Sequence, residues 1–115
     1  MTIRIALIGT GAVGRGILEA LAGKDLGIIL TGVADSRSGV VNPDGISPSE
    51  VLRRKKKTGL CGDASCNAED VVRNADYDIL AEVSPTDAGT GEPATSYIRT
   101  ALSRGCHVVT SNKGL

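Results

Sequence analysis

The chain has 115 residues and a formal net charge of zero, with 41% hydrophobic but only 2% aromatic side chains. That fits one domain over residues 1–115, with an aliphatic core suited to a sheet covered by helices. The charge balance argues against a nucleic-acid partner, and no apolar run reaches the roughly 18 residues that a membrane span needs. The opening MTIRIALIG lacks the form of a secretory signal, so a cytoplasmic protein is expected. Cys61, Cys66 and Cys106 share no C-x-x-C spacing and read as free thiols in a reducing compartment, with no metal expected.

IRIALIG is an Ile-rich apolar run stopped by glycine, and it predicts a buried strand over residues 3–8. In AVGRGILEALAG, Val13, Ile17, Leu18 and Leu21 recur at helical spacing, and Gly23 offers a stop. GIILTGVAD predicts a second strand ending at Asp35, which completes a βαβ unit. Residues 36–47 are rich in Gly, Pro, Asn and Asp and predict a loop. Ser47-Pro48-Ser49-Glu50 has the pattern of a capping box with proline at the first helical position. The helix it opens runs through VLRRKKK and ends at Thr58-Gly59. An irregular GLCGDASC follows, then a short helix capped by Asn67.

YDILAEVS predicts a third strand over residues 78–83, and SPTDAGTGE a polar loop. Pro93 opens another helix with an apolar stripe of Tyr97, Ile98, Ala101 and Leu102, closed by Arg104 and Gly105. CHVVT is the fourth strand, with His107 as a structural residue. This alternation predicts an α/β Rossmann-like parallel sheet with helices on both faces. A switch point beside the first strand gives the order 2-1-3-4.

Gly9-Thr10-Gly11-Ala12-Val13-Gly14 fits G-x-G-x-x-G, follows a predicted strand and opens a predicted helix. Gly9 permits the tight turn, Gly11 lets the backbone approach a pyrophosphate, and Gly14 packs the helix on the strand. The helix N-terminus then offers free N–H groups to the phosphates. Asp35 lies 21 residues after Gly14, where a dinucleotide fold places the acid that meets a ribose hydroxyl. Ser36 and Arg37 follow it, and Arg37 offers a cationic fork for the 2′-phosphate of NADP. The run Arg53 to Lys57 adds basic charge, although it also reads as a solvated helix face. NAD and NADP both fit, and the basic charge tips the choice slightly toward NADP.

Three stretches, ALIGTGAVGRGILEAL, ADSRSG and TGEPATSYIRTALSRGCHVVTSNKGL, resemble the nucleotide-binding domain of homoserine dehydrogenases. The resemblance runs from Met1 to Leu115. It is most specific at Thr90-Gly91-Glu92-Pro93-Ala94 and Ser111-Asn112-Lys113-Gly114, and RRKKKTGLCGDAS resembles the archaeal or short bacterial form. It implies an oxidoreductase of the aspartate pathway, serving threonine and methionine biosynthesis, that interconverts homoserine and aspartate 4-semialdehyde with NAD(P). It also places Ser84, Pro85 and Thr86 near the nicotinamide, Ser111 among the cofactor contacts, and Lys113 where cofactor and substrate meet. Lys113 would be the catalytic residue there, holding the substrate oxygen or moving a proton. The family's substrate and dimerisation domain is not among these residues. The small-molecule substrate is therefore expected to bind only with that domain, the 115 residues alone are expected to be inactive, and an oligomer stays open. Two other readings are the cofactor domain of a different amino-acid or aldehyde dehydrogenase and a non-enzymatic NAD(P)-sensing module.

Overall fold

The computed structural model describes residues 2–85 and 87–111. Along them run β1 (Ile3–Ile8), α1 (Ala12–Gly23), β2 (Ile28–Ala34), β3 (Gly39–Val41), α2 (Pro48–Thr58), α3 (Ala68–Asn74), β4 (Ile79–Glu82), α4 (Ala94–Ser103) and β5 (His107–Thr110). The apolar runs become strands because both faces of the sheet are covered. Alternate side chains therefore enter two separate cores. On β1, Ala6 and Ile8 pack with Val71 and Val72 of α3 and Ala101 of α4. Leu7 points the other way, to Leu18 of α1 and Val51 of α2.

The sheet has five strands in the order β3-β2-β1-β4-β5. β1 pairs in parallel with β2 and with β4, and β4 with β5. This corrects the four-strand order 2-1-3-4, because the segment expected to be a loop holds a fifth strand. β3 lies antiparallel to β2, with Val40 opposite Val33. Three residues between turn formers carry no period-two pattern. What makes them a strand is tertiary, namely the β2 ladder and a bridge from Gly39 to Asp63. The parallel strands stand as β2-β1-β4-β5, so the chain reverses direction across the sheet beside β1.

The helix ends follow local chemistry. Ser47 accepts from the Glu50 N–H at 3.3 Å, but the Glu50 carboxylate turns to Arg53 instead of back to the cap. The expected capping box is thus only half made. A complete one forms at α3, where Asn67 accepts from the Asp70 N–H and Asp70 accepts from the Asn67 N–H. Gly59 closes α2 in the left-handed region at φ 80° and donates to the Lys55 carbonyl. On α4 the expected stripe holds at Ala101, which is buried, and fails at Leu102, which is 58% exposed. All three cysteines are free thiols.

Candidate functional site

A cleft of about 630 Å³ opens at the carboxyl ends of β1, β2 and β4. Its walls include Gly9, Thr10 and Gly11 from the turn after β1, Asp35 and Ser36 after β2, and Ser84 and Pro85 after β4. Binding sites of doubly wound sheets lie at such a switch point. The motif places each glycine under a different constraint. Gly9 sits at φ +106°, and a Cβ on it would lie 2.7 Å from the Ser84 nitrogen. A Cβ on Gly14 would lie 2.0 Å from the Gly9 carbonyl oxygen. The fold itself requires both. A Cβ on Gly11 would meet no protein atom within 4 Å. Gly11 is the N-cap of α1, at φ −71°, and no side chain caps that helix. The first amides of α1 therefore open toward the cleft without a competing side chain or a first-turn acid.

Gly14→Ala forces a methyl into backbone that cannot yield. The expected cost is about 3 kcal/mol, the upper part of the usual overpacking range. Thermal melting followed by circular dichroism should fall by more than about 10 °C, and an unchanged midpoint would contradict the close helix–turn contact.

Asp35 lines the cleft as expected, but its carboxylate is engaged from within. Oδ1 accepts from the N–H of Arg37 at 2.8 Å and from the N–H and hydroxyl of Ser38 at 2.6 and 2.9 Å. Oδ2 accepts from Lys55 Nζ and from the Cys61 N–H, each at 2.8 Å. Burial raises the acid's pKa, but the Lys55 ammonium and these donors outweigh it and hold Asp35 well below the ordinary carboxylate range. Its five donors exceed the roughly four lone-pair positions of a carboxylate. A ribose hydroxyl would have to displace one of them. Within the fold Asp35 is a hub that joins β2, the β3 turn, α2 and the Cys61 segment. Burial pushes the Cys61 thiol up, which keeps it unreactive.

The other expected residues are spread unevenly. Ser36, Ser84 and Pro85 line the cleft with Thr10. Ala12 and Val13 form the first turn of α1, and Val13 is 52% exposed. The Arg37 guanidinium donates to the Gly59 carbonyl at 3.3 Å, beside the C-terminus of α2, and Arg37 is not among the residues lining the cleft. Ser111 is exposed and donates its N–H to the Glu82 carbonyl at 3.3 Å. Thr86 and Lys113 lie outside the described residues.

The cleft also holds residues that the motif reading missed. Lys55 is the only cation among its described lining residues, and Asn67, Glu69, Pro93 and Tyr97 form a further wall. Lys55 carried a readable signal. It lies four residues after Val51, hence on the buried side of α2. Burial raises the Tyr97 phenol, and Glu69, Glu82 and Glu92 raise it further, so it stays a hydrogen-bond donor at neutral pH. Among the described residues no cluster of His, Cys, Asp and Glu forms a metal site, and no helix is long and apolar enough to cross a membrane.

Comparison with known proteins agrees with this geometry. The family model of the homoserine dehydrogenase NAD-binding domain matches residues 9–115. An NAD(+)-dependent homoserine dehydrogenase of Pseudomonas canavaninivorans is 36% identical over 96% of this chain and 36% of its own length. A homoserine dehydrogenase of Methanocaldococcus jannaschii is 30% identical over the same shares, 96% and 36%. The crystal structure of homoserine dehydrogenase from Thermoplasma acidophilum superposes with a TM-score of 0.82 at 34% identity, over 99% of this chain and 36% of that one. The chain thus spans about a third of the length of the curated relatives it matches. On the match over residues 9–115, the chain belongs to the homoserine dehydrogenase NAD-binding domain family.

Proposed function

We propose that the chain is the dinucleotide-binding part of a homoserine dehydrogenase, and that it holds NAD or NADP across the cleft for hydride transfer between homoserine and aspartate 4-semialdehyde. The observation that carries the cofactor reading is Gly11. Packing does not require a glycine there, but a ligand backed against the turn does. The amides at the start of α1 meet the pyrophosphate, Ser36 and Lys55 stand at the ribose end, and Ser84 and Pro85 wall the nicotinamide end. When bound, the cofactor supplies the carbon that accepts or returns the hydride. By the family resemblance, Lys113 holds the substrate oxygen or moves its proton. Lys55 already matches the negative charge of Asp35, so the acid that would repel a 2′-phosphate is neutralised. This supports NADP alongside NAD, with a slight preference for NADP.

Within a complete enzyme, this domain is expected to support homoserine oxidation, read from the absorbance of the reduced cofactor, and Lys113→Ala is expected to abolish it. Reduction of NAD or NADP with a different amino acid or an aldehyde, and none with homoserine, would contradict the substrate reading. The 115 residues alone are expected to show no turnover, because hydride transfer needs the reacting atoms held within about 3–3.5 Å of each other. Parallel titrations should show NADPH binding at least as tightly as NADH. Tenfold weaker NADPH binding would remove the NADP assignment.

A further inference from the structure

Glu82 is the last residue of β4 and is fully buried. The glycine fingerprint does not use it, and the ladder between β4 and β5 is made by backbone groups alone. A buried carboxylate is costly unless hydrogen-bonded, so its partners indicate what it is for. Oε2 accepts from the Ser84 N–H at 3.1 Å and from the Ser84 hydroxyl. Oε1 accepts from the Thr110 hydroxyl at 3.3 Å. The Glu82 carbonyl accepts from the Ser111 N–H at 3.3 Å. One residue thus fastens the segments that leave the ends of β4 and β5. The first of these segments is a cleft wall. Ser84 lines the cleft, and its backbone lies so close to the glycine turn that a Cβ on Gly9 would come within 2.7 Å of it. The Glu82 side chain therefore holds Ser84, the residue that backs onto Gly9, and ties the end of β5 to it.

We propose that Glu82 is a positioning residue for the nicotinamide half of the dinucleotide, holding the Ser84 wall and the end of β5 at Thr110 and Ser111 as one unit. The proposal rests on the dinucleotide reading above. In a dinucleotide fold the end of β2 takes the adenosine ribose and the glycine turn takes the pyrophosphate. The nicotinamide half then falls over the end of β4, where Glu82 acts through Ser84.

Calorimetric titration of the chain with NADH and with ADP-ribose, which lacks the nicotinamide, separates this role from general stabilisation. Wild type should bind NADH more tightly than ADP-ribose. Glu82→Ala should weaken NADH about tenfold and leave ADP-ribose within twofold. Glu82→Gln keeps the shape and one acceptor oxygen, and should weaken NADH about threefold relative to ADP-ribose. If the alanine variant does not fold, the glutamine variant decides by that ratio. The proposal is overturned if wild type binds the two ligands equally, if a folded variant keeps the wild-type ratio, or if both affinities fall together. A folded wild-type chain that binds neither ligand overturns the cofactor reading itself, and this proposal with it.

Discussion

Asp35→Ala is expected to cost about 2–4 kcal/mol of folding stability, because it leaves buried N–H donors unpaired at about 1–3 kcal/mol each. The change strands the Ser38 and Cys61 N–H groups and leaves Lys55, 35% exposed, without its partner. A domain of this size has roughly 5–15 kcal/mol in all, so the variant should sit near the edge of unfolding. Urea denaturation measures this directly, and a loss under about 1 kcal/mol would mean that the Asp35 hub is not stabilising. The pH dependence has a definite sign. The folded-state pKa of Asp35 is depressed, so its contribution is complete above the unfolded value of about 3.9 and is lost as pH falls below that toward the folded value. Wild-type stability should therefore drop on acidification below about pH 4. Asp35→Asn, which cannot titrate, should flatten that part of the profile.

Gly11→Ser should separate stability from binding, moving them in opposite directions. Gly11 already has the extended conformation of an N-cap and no side-chain cap. A serine hydroxyl there can accept from the first turn of α1 and raise stability by a few tenths of a kcal/mol. The same side chain enters the space through which a pyrophosphate reaches the backbone. Affinity for NAD should fall at least tenfold, or about 1.4 kcal/mol. A stable variant that binds NAD as well as wild type would place the phosphates elsewhere.

Much of this site was legible in the sequence because its parts are local. The Ile-rich run, the glycine turn and Asp35 lie within one βαβ unit, where spacing is enough to place the cleft. The role of Asp35 was not legible, since its partners Lys55 and Cys61 come from 20 and 26 residues away. Nor was β3, a three-residue strand that exists through pairing with β2 rather than through any pattern of its own. Glu82 reads as one polar residue in an apolar strand. Its meaning depends on the chain ends of β4 and β5 meeting over it. Arg37 was placed by its nearness to Asp35, but the end of α2 draws its guanidinium to the Gly59 carbonyl.

Dinucleotide binding by the folded chain is the point on which the rest depends, and calorimetric titration with NADH and NADPH, with a melting curve on the same sample, tests it most directly. Saturable one-site binding below millimolar concentration, weakened by Gly11→Ser, is the predicted result. A chain that melts cooperatively yet gives no heat with either cofactor at millimolar concentration would contradict it.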